Sequence, residues 1–539
     1  MVDVLSETSG LLAEMYEKFN GTPWGDKYLS DIRSLQGEMN APCVLAIAGK
    51  VKSGKSFLVN ALLGIDLAMT GNTETTATIN VFMKGKPISP ETPVLCQWID
   101  GRKEWKPKVF LDSLKGTDEE TLKQTAMIDK LIFFIEDNPL LEDVTLVDTP
   151  GIGADVGKDG DDHQRQTETY FKLRNRHESE TKSLTNNADA VIYLFNTVPT
   201  ETDKRFISSL HDGGKGLTAL NGIGVLSKID RDLQQLNNVE KFANGFEKEF
   251  FTIVPTSAAI SRYMPDREKA IYWKKELQEG FESEKGFDYA ITGTEEQFVT
   301  DDDLPDCLLS IERRKKLLKS FAQSDLPWSA FGLIASELYK NSDVDKALKK
   351  LSTISGIEPL KKLINNHFFQ RSRQLRCNRV LTDVMHILMD IQYSNYFLTA
   401  ELEANFKEGC LAECRKMVDP YKTLVERLIT KYVDDLQKVK SSKETLLSFK
   451  SRVEKLKSEL ADIDNCYLAY QMLISNREHF SESDFSELSI LFTGQEIIEN
   501  PLLKQQYWAG IANLAIANSI EQRIAHAAER MYNKINVMQ

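Results

Sequence analysis

Long apolar runs are missing from this 539-residue chain. No stretch of about 18 uncharged apolar residues occurs, so no transmembrane helix is expected. A signal peptide is not expected either, because residues 1–20 interleave acidic with apolar side chains. Cysteine is scarce: seven residues, odd in number and scattered, give no disulfide framework and suit a reducing, cytoplasmic compartment. Cys410 and Cys414 stand four apart without a histidine nearby, so core packing accounts for them better than a metal site does. Positive charge is in deficit, with 67 Lys and Arg against 80 Asp and Glu. The net charge of −13 argues against nucleic acid as a partner and still leaves room for a local basic patch at a peripheral membrane contact. Past residue 369 proline occurs only at Pro420 and Pro501 and glycine becomes sparse, which points to long uninterrupted helices.

What is present is an ordinary globular composition, 41% hydrophobic and 27% charged, in a chain long enough for two or more domains. Residues 1–40 carry Leu11, Leu12, Met15, Tyr16 and Phe19 at helical spacing and precede the first strand. Short apolar runs then follow at 43–48, Val144–Val147, Ala190–Phe195, Ile223–Leu226 and Phe251–Val254, with helical segments between most of them. That alternation predicts an α/β domain over 41–368: a mostly parallel sheet with helices on both faces. Residues 82–140 read as an excursion of mixed character, and the acidic, aperiodic stretch 276–325 as an insertion or mobile segment. From 369 to 539 the chain reads as an elongated all-α bundle or coiled-coil stalk. Its signature is a seven-residue series, Val425, Tyr432, Val439, Leu446, Val453 and Leu460. A second row runs through Ile429 and Leu436, then Phe449, Leu456 and Ile463.

Five motifs carry chemistry. Gly49-Lys50-Val51-Lys52-Ser53-Gly54-Lys55-Ser56 fits the phosphate-loop pattern between a strand and a helix. Such a turn aims backbone N–H groups at an anion and adds the partial positive charge of the helix start. The amides of Lys52, Ser53, Gly54, Lys55, Ser56 and Phe57 are expected to cradle phosphates. Lys55 would reach the β- and γ-phosphates, and the Ser56 hydroxyl would ligate Mg²⁺. Asp148-Thr149-Pro150-Gly151 ends a strand: its carboxylate suits Mg²⁺ through water, and the Gly151 amide can sense a γ-phosphate. Ser227-Lys228-Ile229-Asp230 follows another strand. The Asp230 carboxylate can accept from guanine N1–H and N2–H₂, donors that adenine lacks there, and Lys228 can lie along the base. Thr256-Ser257-Ala258 offers amides to guanine O6. Between the first two motifs stand Thr73, Thr75, Thr76 and Thr78. Thr76, with Thr75 as alternate, is expected to complete the Mg²⁺ shell and hold the attacking water. The five follow the order a GTPase requires, so GTP/GDP is favoured over ATP.

The stretches "GKVKSGKSFLVNALLG", "TTATINVF", "LVDTPGIG", "LSKID" and "PTSA", with "NNADAVIYLF" and "SGIEPLKKLI", resemble those of a bacterial dynamin-like protein of the dynamin superfamily. The resemblance covers 41–368; beyond that it extends only to long helices following the nucleotide domain. It implies GTP hydrolysis, a helical neck against which the N-terminal segment packs, nucleotide-dependent homodimerisation through GTPase faces, and often membrane work at the far tip. Two departures stand out. Ile152 follows D-T-P-G where small GTPases carry a water-orienting Gln, a substitution typical of the resembled family. Val51 and Lys52 replace the Gln and Ser of eukaryotic dynamins, and bacterial relatives commonly have Lys at the latter position. Lys52 either supplies positive charge near the β–γ bridge or points to solvent or to an acid of a dimer partner.

Residues 487–520 are the most apolar part of the tail. Phe492, Ile497, Ile498, Leu502, Leu503, Tyr507 and Trp508 suit an interfacial wedge or, as the better expectation, bundle core. Three functions compete: a membrane-remodelling GTPase, a GTPase switch acting on a protein partner, and a nucleotide-binding scaffold with little hydrolysis.

Overall fold

The computed structural model describes all residues except 1–3, 23–24, 40, 51, 66, 68–77, 115–118, 143, 152–187, 197, 210–219, 247–248, 322–325, 394–408, 410–411, 413–421, 494–499, 514–518 and 539. The favoured switch threonines Thr75 and Thr76, together with Ile152, Cys410, Cys414, Ile497 and Ile498, lie outside the described residues. The chain divides into two units, Pro42–Leu375 and a second formed by Met1–Ala41 with Arg376–Gln539.

The first unit is built on nine strands: β1 Cys43–Gly49, β2 Ile79–Lys84, β3 Val94–Trp98, β4 Lys103–Lys106, β5 Ile128–Ile135, β6 Val144–Asp148, β7 Ala190–Phe195, β8 Gly222–Leu226 and β9 Ile253–Pro255. They form one sheet in the order β4-β3-β5-β2-β6-β1-β7-β8-β9. The pairs β1/β6, β1/β7, β2/β5, β7/β8 and β8/β9 are parallel, while β2/β6, β3/β4 and β3/β5 are antiparallel. The excursion 82–140 therefore extends the sheet. Both faces are covered, as the alternation along β1 and β7 requires. Leu45, Ile47, Ala190, Ile192 and Leu194 feed one core with Leu58, Leu62 and Leu360. Ala46, Ala48, Val191, Tyr193 and Phe195 feed the other with Phe206, Phe246 and Phe250.

Residues 276–325, read from the sequence as an insertion or mobile segment, are largely helical. The helices Arg267–Gly280, Glu284–Thr292, Glu295–Thr300 and Ile311–Phe321 occupy most of the stretch. Each is too short to display a long apolar period, but the first three have capped starts. The Asp266, Ser283 and Thr294 side chains accept from the backbone, and Thr294 and Gln297 form a reciprocal capping box. Together with helices Trp328–Lys340 and Val344–Ser355 they enclose a core that includes Trp273, Phe287, Phe298 and Phe331. Trp273 stacks on Phe321 at 3.6 Å between centroids, and Phe287 on Tyr339 at 4.0 Å.

In the second unit, helices Val4–Phe19 and Gly25–Glu38 share a core with Ser372–Gln392 and the 54-residue helix Lys422–Ser475. Leu446, Phe449, Val453, Leu456 and Leu460 of the two predicted rows are buried there. The two units divide at 375/376, inside helix Ser372–Gln392. A separate cluster surrounds Trp508, which is 1% exposed, with Leu473, Leu488, Ile524 and Tyr532. Leu502, Leu503 and Tyr507 on the same helix, Pro501–Ala512, are exposed. The apolar tail segment is thus divided: Trp508 is core, and these three are surface. No helix among the described residues is long and apolar enough to cross a membrane.

Candidate nucleotide site

The strand order reverses direction beside β1, which pairs with β6 on one side and β7 on the other. Open α/β sheets bind ligands at such a switch point, beyond the carboxyl ends of the strands. The phosphate loop leaves β1 there and runs into helix Lys55–Leu63. Lys55 is buried, and its Nζ donates to the carbonyls of Gly49 at 3.1 Å and Lys50 at 2.9 Å. Burial pulls its ammonium down to about 8, opposed by the charge of Asp148. Asp148 ends β6, opposite Ile47, and is fully buried. Burial pushes its carboxyl up to about 6, against the pull of Lys55 and the Ser56 hydroxyl.

Ser56 Oγ donates to Asp148 Oδ2 at 3.1 Å, while Asp148 Oδ1 is buried with no hydrogen-bond partner. A hydroxyl and a carboxylate are hard oxygen donors of the kind Mg²⁺ takes, and an orphaned carboxylate oxygen beside them fits a hydrated Mg²⁺. Sequence reasoning missed Asn80. It lies opposite Asp148 in the β2/β6 register, and its buried side chain pulls the Asp148 carboxyl down as Ser56 does, against burial. Only the pairing register brings it here. Thr149 acts on the sheet instead of the metal site, since its hydroxyl donates to Ile47 O at 2.9 Å and ties the end of β6 to β1. Gly151 follows and is half-buried.

The base motif stands across the loop. Ser227 Oγ lies 2.6 Å from Ser53 O and 2.7 Å from Phe195 O, so its single proton bridges the phosphate loop and β7. Lys228 Nζ donates to Lys52 O. Burial lowers its ammonium to about 8, with the charges of Arg231 and Lys52 acting the same way and Asp230 opposing. Lys52 and Lys228 both adopt left-handed backbone, at φ 61° and 58°. That conformation is strained for a side chain with Cβ, and such strain collects at functional sites. Asp230 receives two hydroxyl donors, Ser257 at 2.6 Å and Ser329 at 2.7 Å. Ser257 also accepts from Ile260 N and so caps the helix Ala258–Arg262. Ser329, 99 residues from Asp230, carried no motif that could have announced it.

The two extra lysines of the loop separate. Lys50 donates to Thr200 Oγ1 and pairs with buried Asp203 at 3.5 Å. Asp203 also accepts from Tyr193 Oη at 2.9 Å and from Thr200 N and Oγ1. Lys52 is exposed.

Comparison with known proteins bears on this region. Residues 45–229 match the model of the dynamin family. An uncharacterised protein in the xynA 3′ region of Caldicellulosiruptor sp. (strain Rt8B.4) is 28% identical over 255 residues, 45% of this chain and 57% of that one. Isoniazid-induced protein IniC of Mycobacterium tuberculosis is 34% identical over 113 residues, 21% of this chain and 22% of IniC. The matches thus span little more than half of one curated relative and about a fifth of the other. A solved structure of an oligomerised bacterial dynamin pair, described for long-range sensing and tethering of membranes, aligns over 99% of this chain and 76% of its own. It has 16% identity and a TM-score of 0.30. The stretch that matches the dynamin-family model takes in the phosphate loop, Asp148 and the start of the base motif.

Proposed function

We propose that the chain is a dynamin-type GTP hydrolase. The observation that carries the proposal is the convergence of four strand ends: Lys55 after β1, Asp148 on β6, Asp230 after β8 and Ser257 after β9. In this scheme the amides of Lys52–Phe57 hold the phosphates. Lys55 exchanges the carbonyls of Gly49 and Lys50 for the β- and γ-oxygens. Ser56 and Asp148, the latter through water, hold Mg²⁺, whose chemistry is to neutralise charge on those oxygens. Thr76, with Thr75 as alternate, and Gly151 respond to the γ-phosphate. Asp230 and the amides at Ser257 and Ala258 select guanine, and Lys228 lines the base.

Phosphate release with GTP and with ATP tests this. GTP turnover that vanishes in Lys55→Ala is the expected result; ATP turnover equal to that of GTP, or full activity in Lys55→Ala, refutes it. Lys52 stays exposed in reach of the loop, and its charge is assigned to the β–γ bridge. Single-turnover hydrolysis at saturating GTP falls in Lys52→Ala under that assignment; an unchanged rate removes it.

Nucleotide-dependent homodimerisation through the GTPase faces, coupled to the helical unit, completes the proposal. The exposed Leu502, Leu503 and Tyr507 favour membrane remodelling over a switch acting on a protein partner. Co-sedimentation with anionic liposomes separates the two: binding lost in Leu502→Ser/Leu503→Ser supports membrane work, and no binding to any lipid mixture rejects it.

A further inference from the structure

We infer that Ser329 is a positioning residue for guanine selection, through which the helical lobe of the first unit holds the base-reading carboxylate. The inference rests on the guanine assignment of Asp230. An ionised carboxylate offers about four lone-pair sites, two on each oxygen. Ser257 Oγ occupies one on Oδ1 at 2.6 Å, and Ser329 Oγ one on Oδ2 at 2.7 Å. One site is left on each oxygen, which is the number guanine needs for N1–H and one N2–H. Both hydroxyls therefore remain in place when the base pairs, and together they fix the rotation of the carboxylate plane.

The two donors come from different parts of the fold. Ser257 belongs to the loop after β9, and its oxygen is already engaged by Ile260 N at 3.2 Å. Ser329 sits in the first turn of helix Trp328–Lys340. That turn is anchored on both sides: Trp328 Nε1 donates to Gly293 O at 2.6 Å, and Ala330 and Phe331 are fully buried in the lobe core. The Ser329 hydroxyl is thus held by the lobe and presented to Asp230. Without it, Oδ2 has no fixed partner and the carboxylate is free to turn about its Cβ–Cγ bond. Pairing with two donors at once suffers most from that freedom; pairing with one donor suffers least.

Inosine nucleotides supply the comparison, because they keep N1–H and lack the 2-amino group. Affinities for GDP, IDP and ADP are measured by calorimetry on the full chain for wild type, Ser329→Ala and Ser329→Thr. The expected result is a GDP affinity about tenfold weaker in Ser329→Ala, as for loss of a hydrogen bond to a charged group. IDP affinity changes less, so the GDP:IDP ratio narrows. Ser329→Thr, which keeps the hydroxyl, restores the ratio. A structural role would weaken both nucleotides alike and leave the ratio unchanged, which overturns the inference. The ratio is a property of the folded fraction, so partial misfolding of a variant does not mimic it. A wild type that binds ADP as tightly as GDP refutes the guanine assignment itself. A wild type that prefers GDP, with a ratio unmoved in Ser329→Ala, refutes only the role of Ser329.

Discussion

Replacing Gly356 with alanine tests how the base loop is held. Gly356 joins helices Val344–Ser355 and Ile357–His367 at φ +67°. A Cβ there would stand 2.1 Å from Pro255 O, 3.1 Å from Pro255 C and 3.2 Å from Thr256 Cα. These atoms are backbone, so no side-chain rotamer relieves the contact. The strand end must retreat by at least about 1.3 Å, from 2.1 Å to the 3.4 Å at which ordinary van der Waals contact begins. The left-handed conformation costs an alanine about 1–2 kcal/mol and the overpacking about 1–3 kcal/mol, so the sum is about 3 kcal/mol. At roughly 2 °C per kcal/mol for a unit of this size, the Tm of the first unit should fall by about 6 °C. The functional effect follows from the same displacement. Ser257 N donates to Ser355 O at 2.9 Å, and Ser257 Oγ holds Asp230 at 2.6 Å, so movement of the strand end shifts the hydroxyl that fixes the carboxylate. Guanine nucleotide affinity should drop by roughly tenfold or more. Gly64→Ala is the control: Gly64 has φ +70°, but nothing lies within 4 Å of its Cβ position. It should show only the conformational cost and keep its affinity. Thermal melts and fluorescent GDP titrations read both quantities. Equal melts and equal affinities in the two variants would refute the steric argument.

Three further predictions concern charge. Lys50→Met should cost about 1–2 kcal/mol in urea unfolding, because Asp203 keeps the Tyr193 and Thr200 donors. Asp203→Ala should cost about 3–5 kcal/mol, since it strands the cation and the buried Tyr193 hydroxyl; the reverse order would contradict the network. Asp148 binds its proton more tightly folded than unfolded, about 6 against 3.8, so its contribution to nucleotide-free stability is lost as pH rises from 4 to 6. The Tm advantage of Asp148→Asn over wild type should therefore grow across that window, and a shrinking difference would show the sign to be wrong. Lys55, pulled down to about 8 from 10.5, behaves oppositely: the unfolded chain holds the extra proton between these values. Wild type should gain stability relative to Lys55→Met as pH rises from 8 to 10.5, and a loss there would rule out the buried ammonium.

Much of this site was legible because its parts are contiguous. The phosphate loop, D-T-P-G and S-K-I-D each place several functional groups within a few residues after an apolar strand, and local geometry does the rest. The lobe over 276–325 was illegible for the opposite reason. Its helices of 6 to 14 residues each bury only a few side chains, such as Ala270, Trp273 and Leu277 on one and Phe298 on another, so no period accumulates. The capping box at Thr294 and Gln297 was the local signal present and passed over. Long-range contacts left no trace at all. Asn80 reaches Asp148 through strand register, and Ser329 reaches Asp230 across 99 residues of chain. Lys50 and Lys52 make the point most sharply. As residues they are two extra cations in one loop, and only the resemblance set Lys52 apart. The difference between them resides elsewhere, in Thr200 and Asp203, about 150 residues away, which take Lys50 and leave Lys52 exposed. A charge whose partner is fixed by the fold is committed to holding the loop. Among the described residues the Lys52 charge has no acidic partner, and that singles it out for the kinetic test.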